Sequence, residues 1–128
     1  MKTEQKIVGV GAGIGIVSMV LGVWGLSHVV PASSIMDNTA NRLAYALAAN
    51  VLAILPFFLM MINVGNKRFL TKAIDPTRHA EDASMEIDGR VADNTLQQNF
   101  VFLVASLAAS TVLPFTQLHL VWAAAIWF

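Results

Sequence analysis

The residues best placed to do chemistry stand together at the head of an apolar stretch. Gly89-Arg90-Val91-Ala92-Asp93-Asn94-Thr95-Leu96-Gln97-Gln98 runs straight into Phe100-Val101-Phe102-Leu103-Val104-Ala105. On a helix, Asn94, Gln97 and Gln98 follow Arg90 at steps of four, seven and eight, so the four share one face. Hydrocarbon penalises polar groups, and such a stripe faces other helices, a ligand, or water at a membrane surface. Its chemistry is recognition: a guanidinium fork suits carboxylates, and the amides both donate and accept hydrogen bonds.

Other chemistry is set aside by residue type and spacing. The chain has no cysteine, which removes disulfides, thiol nucleophiles and thiolate metal sites together. His28, His79 and His119 are scattered without ligand spacing, so no metal is expected. No Ser-His-Asp order stands out. Glu81, Asp82, Glu86 and Asp88 cluster, and read as helix caps and a solvated loop, with Glu86 four before Arg90 as an ion pair. Gly9, Gly11, Gly13 and Gly15 do not fit G-x-G-x-x-G, since position 14 is Ile. At spacing four they form small-xxx-small pairs and read as helix packing.

The elements that position the stripe follow from composition. Apolar residues make up 56% of the 128, charged residues 12%, and the formal net charge is zero. Charges are confined to a few stretches, the pattern of an integral membrane protein, and zero net charge argues against nucleic acid as a partner. The expected fold is all-α, a single domain over residues 1–128 built as a four-helix transmembrane bundle. Ile7 to Val30 would rise about 36 Å as a helix, enough to cross a hydrocarbon core of about 30 Å. A secretory signal fits less well, because the apolar core is long and Val30-Pro31-Ala32-Ser33 is a poor cleavage site.

The further spans are expected at 42–64, 93–113 and 118–128, with a polar loop at 65–85. Asp37, Asn38 and Thr39 can cap the second helix, Asn50 can bond a neighbouring helix, and Pro56 can kink its own. Helix should resume near Ala83, and Pro114 should end the third span. The last apolar segment, Leu118 to Phe128, rises only about 16 Å, so this helix reads as incomplete. Lys2, Lys6, Lys67, Arg68, Lys72, Arg78 and Arg90 fall on one side of the membrane and Arg42 opposite. The positive-inside rule then makes the amino terminus and the long loop cytoplasmic, in an inner membrane or endomembrane.

Arg90-x-x-x-Asn94-Thr95-Leu96-Gln97-Gln98 at the start of an apolar helix, after a cytoplasmic loop, resembles the MAPEG superfamily, the membrane-associated proteins of eicosanoid and glutathione metabolism. The resemblance covers roughly residues 42–128. It implies a helical bundle assembling as a homotrimer, with glutathione between subunits and a lipophilic small molecule or membrane lipid as the second ligand. By that resemblance Arg90 binds a glutathione carboxylate or neighbouring polar groups, and Asn94 hydrogen-bonds the tripeptide. Gln97 and Gln98 complete the face, while Lys67 and Arg68 stand where many members carry basic residues.

Two departures bear on activity. Gln97 stands where the family usually has Glu, and Gln cannot ion-pair with the glutathione amino group. The Tyr of several members is Gln98 here. Family enzymes also activate the thiol with a later Arg, and no Arg follows Arg90 in this chain, so no catalytic residue is assigned. Three readings stay open: a glutathione-dependent transferase or peroxidase, a non-catalytic lipid- or partner-binding protein of the same fold, and a helix bundle without a ligand.

Overall fold

The computed structural model describes residues 3–31, 38–75, 77 and 80–128, except for the Glu4 side chain. Among these residues the chain is all-helical: α1 (Thr3–Ser27), α2 (Thr39–Ala53), α3 (Leu55–Phe69), α4 (Ala83–Val112) and α5 (His119–Trp127). Short 3-10 turns at Lys72–Ile74 and Phe115–Gln117 lead towards α4 and α5. Two helical stretches are long and apolar enough to cross a membrane, Gln5–Ser27 and Thr39–Phe69.

Local chemistry sets the helix ends. Asn38 caps α2, its Oδ1 accepting from Asn41 N at 2.8 Å, and Asp82 caps α4 by accepting from Met85 N at 2.8 Å. Asp37, the other expected cap, lies outside the described residues. Pro56 has no N–H to give the Leu52 carbonyl, and the expected kink of the 42–64 helix appears as an interruption at Ile54, across which Ile54 N still reaches Asn50 O and Phe58 N reaches Ile54 O. Its second half runs on to Phe69, with Lys67 and Arg68 in the last turn, where positive charge suits the carbonyl end. The polar loop expected at 65–85 is therefore shorter, from Leu70 to Asp82. α4 stops at Val112 because Leu113, held at ψ 143 before Pro114, is extended.

Packing rests on small residues. Ala46, Ala49 and Ala53 recur on one face of α2 at 0%, 0% and 2% exposure, and meet Val121 and Ala125 of α5. Phe102, Leu107, Leu113 and Trp122 close around this seam. Without bulky side chains the backbones approach closely, which is how membrane helices gain dispersion contacts. α4 buries Met85, Ala92, Asn99 and Ser106 at a seven-residue repeat, and packs on both α2 and α3. Asn50 Nδ2 crosses from α2 to Ser106 Oγ at 2.7 Å and also returns to Ala46 O at 2.8 Å. Arg42 Nη1 reaches the Leu113 carbonyl at 3.0 Å, satisfying an acceptor just past the end of α4.

α5 lies between α2 and α1. The close approach on the α1 side is at Gly22, where an added Cβ would fall 2.3 Å from the Trp127 ring. The glycines read as packing residues find no such partner within this chain: a Cβ added at Gly9, Gly11, Gly13 or Gly15 would meet nothing within 4 Å among the described residues. α1 touches the bundle further along, through α5, and leaves its glycine-rich half open.

Two expectations follow. Ala49→Leu should lower stability in detergent by about 1–3 kcal/mol through overpacking, whereas Leu47→Ala on the exposed face should change it by about 0.5 kcal/mol or less; thermal midpoints compare them. A double-mutant cycle with Asn50→Leu and Ser106→Ala should give a coupling near 0.6 kcal/mol, the usual size for an interhelical bond in a membrane protein. Additive effects would mean that the bond contributes nothing.

Candidate functional site

The packed seam of α4 dictates where its polar residues go. With Met85, Ala92, Asn99 and Ser106 turned inward, Arg90, Asn94, Gln97 and Gln98 stand exposed on the outer side. Asn94, Gln97 and Gln98 stay exposed and line an open groove. They form one wall of this groove of about 510 Å³, opposite Met19 of α1, with Val101, Phe102, Ala105 and Phe128 completing it. Phe102 and Phe128 lie against each other with ring centroids 4.8 Å apart, giving the groove an aromatic floor. Three carboxamides thus line a mostly apolar, open groove, able to accept and donate hydrogen bonds but carrying no charge.

Arg90 stands one turn before this lining. Its guanidinium bonds Glu86 Oε1 at 2.6 Å across one helical turn, as the spacing led one to expect. Both side chains are well exposed, so solvent screens the pair and it is open to exchange. Of the guanidinium nitrogens it is Nη2 that meets Glu86, so the other donors of this exposed group are free to meet an anion without breaking the pair.

Lys67 and Arg68 go elsewhere. Lys67 Nζ meets Asp88 Oδ2 at 2.5 Å and Ser84 Oγ at 3.1 Å, while Asn63 Nδ2 also donates to Asp88 Oδ2 at 3.3 Å. Arg68 pairs with Glu81. Glu81 and Asp88 thus bind the end of α3, while Asp82 caps α4 and Glu86 pairs with Arg90 as expected. This clasp shapes the loop, and the structure does not bring Lys67 or Arg68 into the groove lining.

Sequence spacing missed Met19, Phe102 and Phe128. They come from three different helices, and no local pattern signals that α1 and the end of α5 meet this face of α4. A second, almost wholly apolar cavity of about 200 Å³ lies further along α4, between Phe102, Ala105, Ala109 and Leu113 and the α5 residues Leu120, Val121 and Ala124. A smaller one of about 160 Å³ sits by Asn50, Ile54 and Asn99. None of the residues that line the amide groove is a nucleophile or a general base.

No family model, curated protein or solved structure matches the chain.

The clasp gives a test of its own. Asp88→Asn should loosen the loop and raise the rate of tryptic cleavage after Lys72 by up to about fivefold, the ceiling for a half-exposed pair worth about 1 kcal/mol. Limited proteolysis followed by mass spectrometry would measure it. An unchanged rate would show that the clasp does not hold the loop.

Proposed function

We propose that this chain is a MAPEG-like integral membrane protein that holds a lipophilic small molecule with a hydrogen-bonding end in the groove of Asn94, Gln97 and Gln98. In this reading its helices form a four-span bundle with the amino terminus and the 70–82 segment cytoplasmic, and copies assemble as a homotrimer. The supporting observation is the groove itself: three amides and an aromatic pair line one open space of about 510 Å³. Polar side chains facing hydrocarbon are costly, and a ligand that satisfies them while filling an apolar space removes that cost. The open glycine face of α1 leaves room for a second copy.

A glutathione-dependent transferase or peroxidase is the second reading, favoured by one observation. Arg90 begins the same face that carries Asn94, and Glu86, its exposed partner, offers the carboxylate that a glutathione carboxylate would replace. Against it stands the neutral lining of the groove, which offers nothing ionic to the charged ends of the tripeptide. Binding is the better supported activity.

Calorimetry on the detergent-purified chain separates the readings. An uncharged short-chain amphiphile such as decanoyl glycerol should bind saturably, lose about tenfold in affinity in Gln98→Leu, a cost of the order of one buried hydrogen bond, and bind unchanged in Arg90→Ala. Glutathione binding abolished by Arg90→Ala and strengthened by Glu86→Gln would instead establish the second reading. Absence of both ligands from folded protein would leave the stripe as packing alone.

A further inference from the structure

The two larger cavities share residues. Phe102 and Ala105 line the amide groove and also the apolar cavity beyond it. Together the two follow α4 from Asn94, near its polar head, to Leu113 at its far end. We infer that they form one continuous track for a single long-chain amphiphile with an uncharged polar head, its chain running past Phe102 and Ala105 toward Leu113. This rests on the binding reading above and names the ligand class that the same site would take.

Polarity is graded along the track. The near part has amides on one wall, while the far part presents almost nothing but carbon. A head that donates and accepts hydrogen bonds belongs at the first and an unbranched hydrocarbon chain in the second. No lining side chain of either part is charged, so a carboxylate or phosphate head would enter without a side-chain counter-ion and at a desolvation cost.

Length separates this ligand from surrounding lipid. From Gln98 to Leu113 an α-helix rises about 22 Å. One leaflet of the hydrocarbon core is about 15 Å deep, half of the full thickness. A chain that follows the whole track passes the midplane, which leaflet lipid does not need to do. The cavities meet at Phe102 and Ala105, and the Phe102 ring lies against Phe128 with centroids 4.8 Å apart and planes tilted by 33°. Phe102 is placed to set which chains pass, and Ala105 beside it to leave room for them.

Decanoyl and octadecanoyl glycerol analogues carrying a photoreactive group at the chain end test this on the full chain in detergent. The long probe should label near Ala109, Leu113 or Leu120, and the short one near Phe102 and Ala105. Ala109→Trp, in the lining of the far cavity alone, should reduce labelling by the long probe about tenfold or more and leave Gln98-dependent binding of the short one intact. Val104→Trp, at an exposed position outside both linings, should change neither. Octadecanoate, with its charged head, should compete at least about tenfold less well than the glycerol ester.

Long-probe label spread equally over the exposed residues of α1 would mean annular lipid only and overturn the track. So would equal effects of the two tryptophan substitutions, or equal competition by the carboxylate. If Gln98-dependent short-chain binding persists in that event, only the extension fails. If it is lost as well, the binding reading fails with it.

Discussion

Everything in this structure depends on how closely three backbones can approach along the alanines of α2. Between helices in hydrocarbon there is little hydrophobic gain, because the competing solvent is as apolar as the side chains. What remains is dispersion, which falls steeply with separation. Ala46, Ala49 and Ala53 keep the side chains short where α2 meets its neighbours, and Val121 and Ala125 fill the space from α5. Phe102 and Trp122 then close over the ends of contacts that the small residues have made possible. The Asn50–Ser106 bond sits on this seam and fixes the rotation of α4 against α2, since a bond of 2.7 Å tolerates little slip.

That rotation determines the face α4 shows outward. Arg90 lies nine residues before Asn99, about two and a half helical turns, and so falls opposite it. With Asn99 8% exposed and Ser106 5% exposed on the packed side, the run of Arg90, Asn94, Gln97 and Val101 has no choice but the other. The recognition face is thus a consequence of the packing face. A change that rotated α4 by one position, about 100°, would turn Gln98 or Phe100 inward in place of Asn99 and expose the seam, which ties the outer face to stability.

Much of this was legible in the residues. Periodicity placed Arg90, Asn94, Gln97 and Gln98 on one face, side-chain chemistry named Asn38 as a cap, and Pro114 marked the end of α4, because each depends on neighbours a few positions away. The break at Ile54 was visible only as a kink at Pro56. The helix then continued past Gly65, since the chain could satisfy the end of α3 through Lys67 and Arg68, and their partners Asp88 and Glu81 are too distant in sequence for local spacing to pair. Gly9, Gly11, Gly13 and Gly15 show the converse. Their spacing says that a close neighbour is permitted but not that this chain supplies one, and here contact begins at Gly22 instead.

The separation of charge from the groove carries the functional argument furthest. Described basic side chains that could have drawn an anion into the site are already engaged: Lys67 with Asp88, Arg68 with Glu81, and Arg90 with Glu86. What they leave behind is a face of neutral amides. An ion entering such a place gives up its hydration for carboxamide dipoles alone, whereas a hydroxyl or ester exchanges water for hydrogen bonds of similar strength. The two cases differ in desolvation far more than in contacts made. On the proposed reading, a groove lined with Asn94, Gln97 and Gln98 whose nearest cations sit in surface pairs would discriminate against charge before it discriminates on shape.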